Sequence, residues 1–383
     1  MKAYIISYHD SHDYNTRIKY LERFLQSQDY ETETLISDFN HIDKTEYHVS
    51  RKGTKLIHVS PYAKNLSISR IKSYLGFAKE CSNIIGQKTD IDLLYLLAPP
   101  NVLIKELSAL KKKLNFKFIV EIGDMWPESL PVSSWIKRLG YPVFEIWRLI
   151  RDKHLNDADY VVTECDLFLD NLKKHGLFIP SRRLYFCKEA IYEELLDIEY
   201  KDEIRLCYIG SINNIIDIEY IKRLVQKVAT IKKITVHIIG KGENEKSLCE
   251  AIINAGGKCE FYGPIYDNKE KFDIVSNCHF ALNIMKNNVF VGMTMKSLDY
   301  FSMGLPIINN IVGDTWDVVE QYECGINGKN PEAVAKRIIN MSFNDVNSVR
   351  LNARNVHKEL FSIDQFDYHM KEIIDFLLKE NNS

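Results

Sequence analysis

The sequence predicts an α/β protein built from two doubly wound domains that face each other across a cleft. Its 383 residues are enough for two domains of ordinary size. Apolar runs of strand length alternate with helical patterns from the first residue onward, which is typical of parallel sheets covered on both faces. An acidic stretch at 188–203 interrupts the alternation once, and the alternation then restarts.

The first half predicts seven strands with helices between them. The strand runs are, in order, KAYIISY, TETLIS, TKLIHVS, DLLYLLA, KFIVEIG, DYVVTE and RLYF. Helical patterns lie near 15–27, 67–86, 101–114 and 135–155. We therefore predict a first domain over residues 1–195.

The second half repeats the pattern. Its strand runs are IRLCYIGS, ITVHIIG, KCEFYG, HFALNIM and LPIINN, which predict a second domain over 204–360. The last segment, 361–383, contains SIDQFDYHMKEIIDFLLKE. Its apolar residues have helical spacing, so we expect a terminal helix that crosses back to the first domain.

Composition indicates a soluble globular protein, with 45% apolar and 27% charged residues. No apolar run approaches the roughly 18 residues of a membrane span, so we expect a cytoplasmic protein. The eight cysteines contain no C-x-x-C pair, which disfavours disulfides and zinc sites. The acidic residues in DAD, 157–159, and the scattered histidines 9, 12 and 154 predict no metal cluster. No nucleic-acid partner is expected.

Four strand ends in the second half run into glycine. They are Gly210, followed by Ser211, then Gly240, Gly263 and Gly292. Strand-to-helix turns often need glycine for conformational reasons alone. Glycine also lets a backbone approach a ligand closely, and a following helix offers amides to an anion. Four such turns in one domain favour a ligand site.

The stretch VGMTMKSLDYFSMGLPIINN, Val291 to Asn310, carries the most specific signal. It predicts a helix N-terminus at which the amides of Gly292, Met293 and Thr294 and the ammonium of Lys296 meet an anion. Asp299 lies one turn further along, where a carboxylate suits the paired hydroxyls of a ribose. Together these groups predict a nucleotide-diphosphate pocket. In the alternative interpretation, Lys296 is a solvated helix residue and Asp299 a mid-helix acid.

At this point the sequence resembles the GT-B glycosyltransferases, particularly the family-4-like enzymes that build bacterial surface polysaccharides. KSLDYFSMGLPII is similar to their segment K-x-x-E-Y-x-x-x-G-x-P-V-I, and EIGDMWPESL is similar to D-x-x-D-L-W-P-E. LCYIGS and VHIIGKGE are further matches. The resemblance implies two Rossmann-like domains, with a sugar-nucleotide donor in the second and an acceptor in the first.

The resemblance also implies roles for individual residues. Asp299 stands where the family has a ribose-binding glutamate, and Lys296 with the amides after Gly292 matches the diphosphate contacts. Gly240 and Gly263 match loops around the base. Asp124 occupies the place of a His or Asp that meets the reacting sugar.

Two positions depart from the family pattern. Val291 stands where the family often has a first glutamate. The Arg and Lys that often bind the pyrophosphate after the first strand of the second domain are replaced by Ser211, Asn213 and Asn214. The sequence therefore leaves open a catalytically silent partner of another glycosyltransferase, or a sugar-nucleotide epimerase. Nicotinamide chemistry is disfavoured, because no G-x-G-x-x-G follows the first strand.

Two first-domain segments allow both a structural and a functional interpretation. DMWPES is either a rigid turn or a cleft segment that presents Asp124 as a catalytic group beside Lys296 of the other domain. The helix pattern at 133–155 interleaves aromatic and basic residues, which suits either a core helix or contact with an anionic inner-membrane surface.

The expected function is transfer of a sugar from a nucleotide-diphosphate sugar, with a UDP-sugar favoured, to a glycan or lipid-linked saccharide acceptor. The resemblance favours retention of configuration without a metal or other cofactor. A homo-oligomer and peripheral membrane association are further expectations.

Overall fold

A computed structural model describes residues 1–9, 16–41, 44–46, 52–64, 67–130, 134–191 and 198–379. The chain forms two compact units, Met1–Tyr185 with Phe366–Ser383, and Phe186–Gln365. The first boundary lies earlier than the predicted one at 195, because the segment after Tyr185 is bonded to the second unit. The Lys188 amide donates to the Phe361 carbonyl at 2.9 Å and the Ile191 amide to the Ser302 carbonyl at 2.8 Å.

The first unit contains a parallel sheet of seven strands. The strands of this unit are β1 (Lys2–Ser7), β2 (Glu31–Ser37), β3 (Phe39–Asn40), β4 (Thr45–Glu46), β5 (Thr54–Ile57), β6 (Leu93–Ala98), β7 (Lys117–Ile122), β8 (Tyr160–Thr163) and β9 (Ser181–Arg183). The sheet order is β5-β2-β1-β6-β7-β8-β9, which is doubly wound about β1 and β6. The antiparallel pair β3–β4 was not predicted. The last strand begins earlier than the predicted run RLYF.

Helices connect these strands. They are α1 (Thr16–Ser27), α2 (Ile68–Gly86), α3 (Val102–Leu114), α4 (Ser134–Leu139), α5 (Tyr141–Leu155) and α6 (Asp166–Lys174). The helix predicted over 135–155 is two helices, because Gly140 separates α4 from α5 and Pro142 lies in the first turn of the second. Proline in the first turn of a helix is well placed, since its missing N–H has no intrahelical partner there.

The second unit contains a parallel sheet of six strands. The strands are β10 (Glu203–Ile209), β11 (Lys233–Ile239), β12 (Lys258–Gly263), β13 (Phe280–Asn283), β14 (Ile307–Asn309) and β15 (Gly325–Asn327). Their order is β12-β11-β10-β13-β14-β15, which is the Rossmann arrangement with its reversal point between β10 and β13. The two-domain α/β prediction is confirmed.

Seven helices of the second unit follow these strands. They are α7 (Ile218–Ala229), α8 (Glu245–Asn254), α9 (Asn268–Val275), α10 (Met295–Ser302), α11 (Asp314–Tyr322), α12 (Pro331–Asn340) and α13 (Phe343–Val356). A π-helical turn, His357–Phe361, continues α13. Several begin at a side chain that accepts an amide hydrogen three residues on, such as Asp217 and Asn330. These caps satisfy amides that have no intrahelical acceptor.

The C-terminal helix α14 (Ile363–Lys379) belongs for most of its length to the first unit. Arg23 donates to Asp367 at 2.6 Å, and Arg182 donates to Glu372 at 2.7 Å. The guanidinium of the fully buried Arg17 lies 5.1 Å from the centre of the Phe366 ring. Ion pairs and cation–π stacking therefore hold this helix against the unit that begins the chain.

A buried hydroxyl separates the two central strands of the second sheet. Strands β10 and β13 pair at Leu206–Phe280 and Cys207–Ala281. Beyond these pairs, the hydroxyl of Tyr300 accepts from the Ile209 amide at 2.9 Å and donates towards the Leu282 carbonyl at 3.3 Å. The strands part around this side chain, and their carboxyl ends form the reversal point at which open α/β sheets bind ligands.

We expect Tyr300→Phe to destabilise the protein by about 1–3 kcal/mol, because a buried amide and a buried carbonyl lose their partner. The midpoint of urea denaturation should fall. Tyr141→Phe is the control, since Tyr141 is 63% exposed and should leave the midpoint unchanged. Equal midpoints for wild type and Tyr300→Phe would contradict this role.

The described residues also bear on membrane spans, metal ligands and disulfides. Among the described residues, no helix is both long enough and apolar enough to cross a bilayer, and no three potential metal ligands cluster. The cysteines are free, and most are buried. Asp157 pairs with Lys112 at 3.2 Å and Asp159 with Lys111 at 3.0 Å, so these carboxylates join α3 to the turn before β8. His12 lies outside the described residues.

Candidate functional site

The residues predicted for the second unit follow the carboxyl ends of its strands. Gly210 and Ser211 follow β10, Gly240 follows β11, Gly263 ends β12, and the segment 292–299 follows β13 and includes the start of α10. The carboxyl ends of parallel strands share one edge of the sheet. The fold therefore gathers these positions around the reversal point between β10 and β13.

Two glycines allow the turns after β10 and β11 to approach each other. Gly210 has φ +120° and Gly240 has φ +153°. A Cβ atom on Gly240 would lie 2.0 Å from the Gly210 carbonyl oxygen, and one on Gly210 would lie 3.1 Å from Lys296 Cε. The Gly240 amide donates to the Gly263 carbonyl at 2.8 Å, which adds the end of β12 to the cluster. Only glycine fits at positions 210 and 240.

Helix α10 begins at Met295, later than the sequence indicated. Thr294 is its N-cap: the hydroxyl accepts from the Ser297 amide at 3.1 Å and donates to Asn283 Oδ1 at 2.9 Å. The Thr294 side chain therefore caps the helix, and the amides of its first turn belong to Met295 and Lys296. These amides have no acceptor within the helix and point towards its N-terminal end.

The two residues before this cap hold the loop in place. The Gly292 carbonyl accepts from the amide and the hydroxyl of Thr315 at 2.8 and 2.7 Å. The same hydroxyl lies 3.6 Å from Met293 Sδ, and Met293 is buried. These contacts attach the loop before α10 to α11, and the predicted contact of Gly292 and Met293 with a diphosphate stays a prediction.

Lys296 lies beside the turn at Gly210. Its ammonium donates to the Tyr208 hydroxyl at 2.6 Å and lies 4.4 Å from the centre of that ring. The Tyr208 hydroxyl in turn donates to the Ser211 carbonyl at 2.7 Å. Burial lowers the pKa of Lys296 to about 8, because the charged form loses water. The lysine is therefore largely buried beside the Gly210 turn and is not a solvated helix residue.

Asp299 forms an ion pair with Lys188. Two hydrogen bonds fix the Lys188 backbone to the second unit: its amide donates to the Phe361 carbonyl at 2.9 Å, and its carbonyl accepts from His357 at 3.0 Å. Burial lowers the pKa of Lys271 and the positive charge of Lys188 lowers it further, whereas the charges of Asp299 and Asp267 raise it. Asp299 is thus paired with one lysine, Lys188.

Sequence reasoning missed Lys188, Lys271 and Tyr208. Lys188 is separated from Asp299 by 111 positions and begins the acidic stretch that the sequence marks as a domain boundary, so no local pattern points to it. Tyr208 had a usable signal, since it is an aromatic residue two positions before the glycine that ends β10.

The assembled groups can bind an anion and a polar ligand side by side. Lys296, the first turn of α10 and the backbone at Gly210 suit phosphate oxygens. The carboxylate of Asp299 lies one helical turn further along and suits hydroxyl donors. This combination fits a nucleoside diphosphate better than it fits a neutral sugar or a nucleobase alone.

Asp124 lies in the first unit, just after β7. Its carboxylate accepts from the Ser129 hydroxyl. Burial raises the pKa of Asp124 to about 6, although the Ser129 hydroxyl and the charge of Arg70 lower it. A carboxyl group with a pKa near neutrality is suited to exchange a proton.

Arg70 and Trp126, which both lower the pKa of this carboxylate, belong to a group of polar and aromatic side chains. The Arg70 guanidinium lies 4.2 Å from the centre of the Trp126 ring and donates to the Tyr74 hydroxyl at 2.6 Å. His9 bonds the same hydroxyl at 2.7 Å. We call Arg70, Tyr74, His9, Trp126 and Asp124 the polar cluster.

Hydrogen bonds from Asn101 and Arg151 fix the turn that carries Asp124. The Trp126 carbonyl accepts from Asn101 at 3.2 Å and from Arg151 at 3.0 Å, and Arg151 also donates to both carboxylate oxygens of Glu128. DMWPES is therefore a bonded turn, as the structural interpretation predicts, and it places Asp124 within the polar cluster; a catalytic role for Asp124 stays a prediction.

Residues 203–344 match a family model described as "Glycosyl transferases group 1". Among curated proteins, a tRNA(Met) cytidine acetate ligase of Clostridium perfringens is 25% identical over 236 residues. That match covers 57% of this chain and 56% of the ligase, so the chain spans little more than half the length of that relative.

Solved structures share the whole fold. Sucrose-phosphate synthase from Thermosynechococcus elongatus superposes with a TM-score of 0.71 at 14% identity, over 99% of this chain and 100% of that one. HepE of Anabaena, solved in complex with UDP and glucose, gives 0.64 at 11% identity over 98% and 99%. The lipopolysaccharide outer core galactosyltransferase WaaB gives 0.64 at 14% identity, over the same shares. The predicted GT-B fold is confirmed.

Proposed function

We propose that this chain is a glycosyltransferase that moves a sugar from a UDP-sugar to a saccharide acceptor. The proposal starts from the match of residues 203–344 to the glycosyl transferases group 1. The donor binds the second unit, and the acceptor is a glycan or a lipid-linked saccharide. The transfer retains configuration and needs no metal ion.

The observation that carries this proposal is the position of Lys296. Its ammonium lies beside the Gly210 turn, on the first turn of α10. A diphosphate at this point would meet a lysine, the amides of Met295 and Lys296, and the positive end of the helix dipole. The complex of HepE with UDP and glucose supports a uridine nucleotide as the ligand, since that protein shares the fold.

Each group of the donor site has a role in the transfer reaction. The bond between the sugar C1 and the diphosphate oxygen breaks, and a bond from C1 to the acceptor oxygen forms. In the retaining reaction, the departing diphosphate takes the acceptor's proton. Lys296 and the α10 amides stabilise the charge that grows on that diphosphate.

Asp299 and Lys188 contact different parts of the donor, the ribose and the phosphates. We propose that Asp299 accepts hydrogen bonds from the ribose hydroxyls, as the family resemblance implies. Lys188 holds the same carboxylate in the ligand-free protein, and its charge can move towards the phosphates once a donor binds. It thereby supplies a cation that the turn at 211–214 lacks.

The direct test is thermal stability with UDP, UDP-glucose, UDP-galactose, GDP-mannose and dTDP-glucose, measured in EDTA. A ligand at one hundred times its dissociation constant stabilises a protein by about 2.7 kcal/mol. We expect a clear rise in melting temperature with UDP and at least one UDP-sugar. Stabilisation by none of the five would remove the donor-site assignment.

The pKa of Lys296 makes the affinity for UDP dependent on pH. Because this pKa is about 8 in the ligand-free protein, the ammonium form becomes scarcer above pH 8. The dissociation constant of UDP should then rise by up to about tenfold per pH unit. Calorimetric titrations between pH 7 and 9.5 measure this, and a constant affinity in that range would contradict the role of Lys296.

The stability of the ligand-free protein should change in the opposite direction. The pKa of Lys296 is lower in the folded protein than the ordinary 10.5 of a lysine in the unfolded chain. The unfolded state therefore binds more protons than the folded state between about pH 8 and 10.5. Lys296 therefore contributes increasing stability as pH rises through that window.

A further inference from the structure

An apolar groove lies between helices α2 and α5 of the first unit. It has a volume of about 310 Å³, at the lower end of the range for small-molecule sites. Ile71 and Leu75 line one wall, and Val143, Ile146 and Ile150 line the other. Its surface is almost wholly hydrocarbon, which suits an apolar ligand and offers little to a sugar.

The residues that line the groove are unusually exposed for their type. Ile71 is 54% exposed, Val143 66% and Ile146 60%. Soluble proteins rarely leave contiguous branched aliphatic side chains in water, and such patches usually mark a binding surface. The groove therefore has the character of a binding surface.

One wall of the groove is shared with the polar cluster. The Tyr74 ring lines the groove, while its hydroxyl bonds Arg70 and His9. Trp147 also lines the groove and contacts Trp126 edge to face, with ring centres 5.8 Å apart. The apolar groove is thus continuous with the largely buried polar cluster beside Asp124.

We infer that the α2–α5 groove binds the hydrocarbon chain of the acceptor, an amphiphile whose phosphate-ester head lies at Arg70. This rests on the proposed function, since it names the acceptor of the same reaction. A phosphate matches the Arg70 guanidinium, and a flexible chain matches the groove. The saccharide part of the acceptor then lies at the Asp124 side of the polar cluster.

The observations favour a single bound amphiphile over docking on a bilayer. Peripheral docking needs basic side chains that point to lipid head groups. On α5, Arg148 is paired with Glu145 and Asp152, and the buried Arg151 is paired with Glu128. These two arginines of α5 are therefore held by carboxylates of the fold, whereas the groove is concave and continuous with the polar cluster.

The test uses butyl, hexyl and octyl phosphate, titrated calorimetrically into the full chain below their micelle concentrations. Each methylene that enters an apolar site should strengthen binding by about two- to fourfold. We expect octyl phosphate to bind at least about tenfold more tightly than butyl phosphate. Equal affinities along the series would overturn the inference.

Two variants on α5 make the test specific. Ile146→Ser changes a groove residue and should weaken octyl phosphate about tenfold while leaving butyl phosphate unchanged. Leu149→Ser is the matched control, because Leu149 is also exposed on α5 but lies outside the groove lining. It should keep the wild-type affinity. Equal losses in both variants would mean non-specific adsorption and would overturn the inference.

The head group and competing occupants are tested separately. Arg70→Gln should weaken octyl phosphate but not octyl glucoside, which carries no charge. If the protein binds phosphatidylglycerol vesicles more strongly than octyl phosphate, and Leu149→Ser abolishes the vesicle binding, the inference would be overturned in favour of a bilayer. If the protein self-associates in sedimentation experiments and Ile146→Ser abolishes this self-association, the inference would be overturned in favour of a second copy of the chain in the groove.

The alkyl phosphate titrations are made without donor, so their outcome is independent of UDP binding. UDP binding with no chain-length dependence would refute the groove assignment alone. Chain-length dependence without UDP binding would refute the donor assignment alone.

Discussion

Replacing Lys296 with methionine lowers the rate of sugar transfer by about 100- to 1,000-fold. The ammonium is the charged side chain beside the first turn of α10, where the leaving diphosphate gains negative charge, and loss of one such preorganised donor has an effect of this size. Methionine keeps the length and apolar stem of the side chain. The variant should fold, because burial disfavours the lysine charge in the ligand-free protein.

The measurement is release of UDP from the donor in the presence of acceptor. Lys246→Met is the control: Lys246 lies on α8 of the same unit with a side chain 87% exposed, and its loss should leave the rate unchanged. A Lys296→Met rate within threefold of wild type would show that the leaving group is stabilised elsewhere.

Replacing Asp124 with asparagine should lower transfer by about 100- to 1,000-fold, because the resemblance places this carboxylate against the reacting sugar, where loss of one preorganised charged group has an effect of this size. UDP binding should be unaffected, because the donor binds the second unit. Wild-type activity should also rise as pH increases through about 6, since burial raises the pKa of Asp124 to that value and the carboxylate is the active form. In an inverting reaction, the same carboxylate would be the general base.

Ser129→Ala separates a direct role of Asp124 from a structural one. The Ser129 hydroxyl donates to the Asp124 carboxylate and lowers its pKa. Without that hydrogen bond, the acidic limb of the pH–rate profile should move to higher pH while the maximum rate is largely kept. An acidic limb of the pH–rate profile that stays in place, or full activity in Asp124→Asn, would remove Asp124 from the mechanism.

UDP binding without transfer or donor hydrolysis in wild type would identify a silent partner protein.

The architecture was accessible from the sequence because parallel sheets leave strong local signals. Strands buried on both faces appear as continuous apolar runs, such as DLLYLLA and FIVEI, and their glycine turns mark the carboxyl edge. The motif KSLDYFSMGLPII contains two groups that the structure places at the reversal point, Lys296 and Tyr300, and it also contains Asp299, which pairs with Lys188. Their spacing along one helix made them visible together.

Features that depend on long-range contacts were not accessible. The Lys188–Asp299 pair joins distant segments, and the domain boundary follows from the bonds that fix Lys188 and Ile191 to the second unit. Strand β15 contains only Gly325–Asn327, too few residues for a periodic signal. The start of α10 shifted because Thr294 bonds Asn283 on β13, a contact that capping patterns do not reveal.

The central claim is that Lys296 and the first turn of α10 bind a diphosphate, and paired calorimetric titrations test it most directly. UDP and uridine are titrated into wild type and Lys296→Met at pH 7. The account predicts that the substitution weakens UDP by at least about tenfold, since charge-assisted hydrogen bonds contribute about 1.5–3 kcal/mol, and leaves uridine unchanged. Equal losses for UDP and uridine, or no loss for either, would contradict the claim.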